Sequence, residues 1–132
     1  MTNTIKNSTP RVKIIQKLYS KTLNPDEKII YNKSQYKKFI KDTVIGTLER
    51  TLLIEQKIAT YLSNDINLRK TDKLLKIILF AAVFELMFKH NTPKKVIISE
   101  YLLASEHFLE KIQIGYLNAI LDKIAKELRK EE

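Results

Sequence analysis

An all-α fold of six or seven helices is predicted by three observations on the sequence. The 132 residues include only two glycines and three prolines, too few for a β-rich or loop-rich chain. Apolar residues recur at spacings of three and four in every long segment, and no segment alternates with period two for long enough to make a strand. One stretch, residues 74–88, is apolar almost throughout.

That stretch, Leu-Leu-Lys-Ile-Ile-Leu-Phe-Ala-Ala-Val-Phe-Glu-Leu-Met-Phe, is the element the chain is organised around. Its only charges are Lys76 and Glu85. As a helix it spans roughly 22 Å, too short for a bilayer. A helix apolar nearly all round lies inside a protein among other helices. Ala82, in its middle, is expected to face inward. Thr71 and Asp72 are cap-type residues at its start, and Lys89, His90 and Asn91 suit its negative end.

The remaining elements follow in chain order. Residues 1–8 read as a flexible polar arm, and residues 9–132 as a single helical domain. Ser8 or Thr9 caps a first helix with Pro10 in its first turn, and Val12, Ile15 and Tyr19 repeat through about Leu23. Asn24-Pro25-Asp26-Glu27 is a stop followed by a new start, with a short helix expected through Tyr31. Tyr36, Ile40, Val44, Leu48, Ile54, Ile58 and Leu62 predict one long helix or two in line. Gly46 inside it either admits close packing against the central helix or is merely tolerated, at a cost of about 1 kcal/mol relative to Ala. Ser63 to Lys70 is a polar loop. Thr92-Pro93 opens a helix from Lys94 to about Leu109. A break around Gly115 is expected over residues 110–115, followed by a last helix from Tyr116 to Arg129.

Charge is unevenly placed. The formal net charge is +9, yet residues 1–41 hold ten Lys/Arg against Asp26 and Glu27 alone. A basic surface at one end of a molecule suits a polyanion. Twenty of the 24 basic residues are lysine, which compositional drift explains, although drift leaves the asymmetry unexplained. With no cysteine there is neither disulfide nor thiolate metal site, in keeping with a reducing cytoplasm. The polar start has no apolar stretch of secretory type, and no run reaches membrane length.

Signatures of catalysis are missing. His90 and His107 lack metal-site spacing, and the sequence has no Gly-rich phosphate loop and no nucleophile elbow. The expectation is a non-enzyme with no metal and no cofactor. Three other features stand out. Arg11, Lys13 and Lys17, with Lys6 in the arm, make a basic helix start, or else an ordinary solvated face. Lys94 and Lys95 sit in a first helical turn, where the macrodipole disfavours cations but free N–H groups attract an anion. Tyr116, next to Gly115, either stacks on an unpaired base or packs on the core.

Four segments together resemble the NusB family of bacterial transcription antitermination factors. Arg11 to Tyr19, Arg-Val-Lys-Ile-Ile-Gln-Lys-Leu-Tyr, is similar to the family's opening helix. Phe84-Glu85-Leu86 resembles the Tyr-Glu-Leu that ends its central helix. Thr92-Pro93-Lys94-Lys95-Val96-Ile97-Ile98-Ser99-Glu100 resembles Val-Pro-x-Lys-Val-x-Ile-Asn-Glu. Tyr116-Leu117-Asn118-Ala119-Ile120-Leu121-Asp122-Lys123-Ile124-Ala125 resembles Phe-Val-Asn-Gly-Val-Leu-Asp-Lys-Ile-Ala. Departures are Phe80, where an arginine is common, and an arm with Lys6 as its only basic residue before Arg11.

The resemblance implies two three-helix bundles packed across each other. It implies binding of boxA-type single-stranded RNA in nascent ribosomal transcripts, together with NusE, a small-subunit ribosomal protein, within an RNA polymerase antitermination complex. Carried over by position, the RNA-side candidates are Lys6, Arg11, Lys13, Lys94, Lys95 and Tyr116. Tyr19 and Glu85 occupy motif positions as partner-binding candidates or as internal packing. Two other readings stand beside this one. A helical protein–protein module with no RNA role of its own is the first. The second is an accessory domain of a ribosomal-RNA methyltransferase, against which weighs the lack of room for a cofactor domain.

Overall fold

The computed structural model describes residues 9–62, 67 and 70–132. The arm of residues 1–8, with Lys6, and most of the polar loop 63–70 lie outside the described residues. Six helices and no strand are present among the described residues. They are α1 (Pro10–Leu23), α2 (Lys37–Glu49), α3 (Thr51–Leu62), α4 (Lys73–Phe88), α5 (Lys94–Ser105) and α6 (Lys111–Leu128).

Helix α4 touches all five others, as its apolar surface requires. Helices α1, α2 and α4 pack pairwise, as do α4, α5 and α6, while α3 lies against α2, α4 and α6. Two three-helix groups, α1–α2–α4 and α4–α5–α6, thus share α4. Ile78, Leu79, Ala81, Ala82, Val83 and Leu86 are fully enclosed, Ala82 among them as the sequence predicts. The Asp72 carboxylate accepts the Leu75 N–H at 3.1 Å and caps α4. At the other end the buried Arg129 donates to the carbonyls of Leu86, Lys89 and Thr92 at 2.8–3.0 Å, satisfying groups a helix terminus leaves open.

Gly46 is a close-packing position. A Cβ there would lie 2.2 Å from Cζ and 2.4 Å from Cε1 of Phe84. The absent side chain lets α2 rest its backbone on an aromatic ring of α4.

Of the two alternatives for the 34–62 segment, the structure has two helices, parted at Arg50. Thr47 and Thr51 hydroxyls donate to the carbonyls of Thr43 (2.7 Å) and Thr47 (3.0 Å), and such back-bonding bends helices. Three boundaries differ from the sequence expectation. No helix forms over residues 24–31, where two lysines of α1 instead hold the loop's carbonyls. Lys21 Nζ donates to Glu27 O and Lys17 Nζ to Ile30 O. Helix α5 stops at Ser105 rather than near Leu109, with Glu106, His107 and Phe108 N–H groups turning back to carbonyls three residues earlier. Helix α6 begins at Lys111 instead of Tyr116. Glu110 and Gln113 form a reciprocal capping box, in which Gln113 accepts the Glu110 N–H at 2.9 Å. Gly115 is therefore an ordinary exposed position inside the helix.

Candidate nucleic-acid interface

The residues marked by sequence do not gather in one place. Lys6 lies outside the described residues. Arg11 is buried, and its guanidinium grips Glu85 through Nη2–Oε1 at 2.7 Å and Nε–Oε2 at 3.1 Å. Tyr101 of α5 donates its hydroxyl to the same Oε2 at 2.5 Å. Arg11 also lies over the rings of Phe39 and Tyr101. This polar knot ties α1, α4 and α5 together, so Arg11 and Glu85 sit inside the protein rather than on an RNA or partner surface. Burial, and then the charge of Glu85, hold the Tyr101 hydroxyl well above its ordinary 10.0, so it remains a donor. Tyr19 is half-buried.

At the start of α5 the anion-attracting position already has a carboxylate. Glu132 accepts the Lys94 N–H at 2.7 Å, and Lys94 Nζ donates to the Glu132 backbone oxygen at 3.0 Å. These bonds, with Arg129 alongside, hold the Glu132 carboxyl below its ordinary value. Lys95 is exposed and lines an open groove between α5 and α6 with Ile98, Leu102, Ile114 and Asp122. Tyr116 is exposed, but on a different flank of α6. It stands two residues beyond Ile114, about 200° around the helix.

A basic cluster that the motif reading did not assemble lies on the other side of α1. Lys13, Lys17 and Lys37 line a dimple with Tyr31, Asn32, Ser34 and Ile40. The ammonium groups of Lys17 and Lys41 stand 5.3 and 5.9 Å from the centre of the Tyr31 ring. The charge excess of residues 1–41 hinted at this cluster. The loop that folds Tyr31 back against α1 supplies the pairing, and that long-range contact carries no local sequence signal. Among the described residues no three His, Asp or Glu side chains meet as a metal site.

Fold and surface define the class first: an all-α bundle with one apolar central helix and its positive charge collected on the N-terminal third. The model of the NusB family matches residues 3–126, and the chain belongs to the NusB family. It is 33% identical over 94 residues to a transcription antitermination protein NusB of Nitrobacter hamburgensis, covering 71% of this chain and 59% of that one. A namesake from Caulobacter vibrioides is 32% identical over 91 residues, covering 69% and 61%. For one from Rhodopseudomonas palustris the figures are 33% identity, 71% and 54%, so the chain spans little more than half the length of these relatives. The solved structure of T. maritima NusB superposes with a TM-score of 0.78 at 24% identity over 89% of each chain, a likeness of fold. No helix among the described residues is long and apolar enough to cross a membrane.

Proposed function

We propose that this chain is a cytoplasmic, non-catalytic RNA-binding factor in transcription antitermination. It binds boxA-type single-stranded RNA of nascent ribosomal transcripts together with NusE, and carries both to the RNA polymerase antitermination complex. The observation that carries this reading is the family match over residues 3–126, joined to a ten-to-two excess of basic over acidic residues in positions 1–41. The names of the curated relatives support it. Lys13, Lys95 and Tyr116 are the exposed or half-exposed RNA candidates, with Lys6 in the arm. Lys94 contributes through its place at the α5 start, in competition with Glu132. Arg11 and Glu85 hold α1 and α4 in register beneath that surface, with Tyr19 at its margin.

The test is a gel shift of the purified chain with boxA-type and scrambled RNA, with and without NusE. Preference for boxA that sharpens with NusE is expected. Equal affinity for both RNAs in the presence of NusE sinks the reading.

One observation favours a second reading, a helical protein–protein module without an RNA role. Leu103, which lines the apolar α5–α6 groove, is 53% exposed. Steep salt dependence of RNA affinity separates the two, since it belongs to phosphate contacts.

A further inference from the structure

We propose that the dimple between α1, the 24–36 loop and α2 is a phosphodiester-binding site, which carries a single RNA strand past α1 on to α2. The proposal rests on the RNA-binding reading above and adds Lys17, Lys37 and Lys41 to it.

Three features of the cluster point to a polyanion. First, two of the four lysines, Lys17 and Lys41, are held in place. Lys17 Nζ donates to the Ile30 carbonyl at 2.7 Å, and the ring of Tyr31 is flanked by the ammonium groups of Lys17 and Lys41. Second, the cations are crowded and unneutralised. Partial burial lowers the Lys17 pKa, and the charge of Lys13 lowers it further. None of Lys13, Lys17, Lys37 and Lys41 forms an ion pair with a described residue. Asp42, whose carboxylate feels Lys41, is bonded to Lys38 at 2.8 Å. Third, the neutral groups at the rim, Asn32 and Ser34, are hydrogen-bonding side chains.

The ligand class follows from shape and charge. The dimple has about 30 Å³ of space, room for about one or two water-sized groups. A ligand therefore lies across its mouth. Ammonium groups act as point charges and bind phosphate oxygens without requiring a planar, bidentate partner. A strand with a charge at each nucleotide engages several lysines at once, and its binding releases counterions. An acidic protein segment is the rival occupant.

The test uses the full chain and a single-stranded RNA that extends beyond a boxA-type core, with affinity measured by anisotropy across a salt series. Lys37 and Lys41 are exposed, so replacing both spares the core. Lys37→Ala with Lys41→Ala is expected to lower the slope of log affinity against log salt by about 1.4, two phosphate contacts' worth, and to weaken binding at physiological salt roughly tenfold. Lys37→Arg with Lys41→Arg should keep the slope. Lys38→Ala, a residue already tied to Asp42, should leave it alone. As a second measurement, bound RNA should protect Lys13, Lys37 and Lys41 from acetylation and leave Lys38 reactive.

Wild-type protein that binds RNA, beside a double alanine variant of unchanged slope and affinity, overturns the site and leaves the RNA reading standing. A double alanine variant that keeps RNA but loses polyglutamate overturns the site in the same way. Wild-type protein that binds no RNA overturns both.

Discussion

Arg11 and Glu85 lie 74 residues apart in the chain and meet inside it through two hydrogen bonds of 2.7 and 3.1 Å. Glu85 is fully enclosed, so its carboxylate depends on Arg11 and Tyr101. Removing one partner of a buried pair leaves the other charge uncompensated, at about 3–5 kcal/mol. That is a large share of the roughly 5–15 kcal/mol by which a domain is stable. Arg11→Ala should shift guanidinium chloride unfolding strongly downward. The triple change Arg11→Met, Glu85→Leu and Tyr101→Phe should recover most of the loss, because apolar residues of similar volume can replace a buried ionic group. An Arg11→Ala midpoint equal to wild type would refute the internal role.

The same knot predicts a response to alkali. Tyr101 ionises above its ordinary 10.0 when folded, so the unfolded chain gives up the proton first. A raised folded value means that its contribution is whole below pH 10 and falls as pH rises from there toward the folded value. Melting curves should therefore lose stability above pH 10, and Tyr101→Phe should flatten that part of the fall. Equal slopes in wild type and variant would show that the hydroxyl is not held in its neutral form.

The two glycines should respond to alanine with opposite signs. At Gly115 a Cβ meets nothing within 4 Å, so Gly115→Ala gains up to about 1 kcal/mol from helix propensity. At Gly46 the new methyl collides with the Phe84 ring, and overpacking of a core costs about 1–3 kcal/mol, more than the propensity gain. Gly46→Ala combined with Phe84→Leu should lose less than the sum of the two single changes, since both act on one contact. Additive losses in thermal melts would mean that ring and glycine are not coupled.

The start of α1 at Thr9-Pro10, the cap at Asp72 and the enclosure of α4 rest on local signals, a few residues long, and the structure has all three. Gly115 reads as a break in the sequence, whereas the capping box of Glu110 and Gln113 already sets the start of α6 at Lys111. The split at Arg50 arises from two threonine hydroxyls, in a stretch whose apolar spacing runs through unchanged. By sequence Arg11 reads as a surface cation, because nothing nearby in the chain neutralises it. Glu85 held the missing clue: a lone acid in an otherwise apolar central helix needs a buried cation, and the chain has only four arginines. The Lys17–Tyr31–Lys41 contacts depend on a loop closing back on α1, which spacing along one helix cannot foretell.

Lys95 and Tyr116 are the sharpest test of the RNA surface, because they should fail in different ways. Lys95 is exposed on the α5–α6 groove, so Lys95→Glu removes a phosphate contact without touching the core. It should weaken every single-stranded RNA alike and lower the salt slope by roughly 0.7. Tyr116 is 43% exposed in the second turn of α6, on another flank. A ring there contributes by stacking, so Tyr116→Ala should cost about 1–3 kcal/mol and leave the salt slope unchanged. Because the two side chains stand on different flanks of α6, a strand that uses both wraps that helix, and the two losses should add. Binding titrations across a salt series with folded single and double variants read all three quantities. If Lys95→Glu and Tyr116→Ala both keep wild-type affinity, the strand does not cross this end of the molecule, and its path is confined to the α1–α2 side.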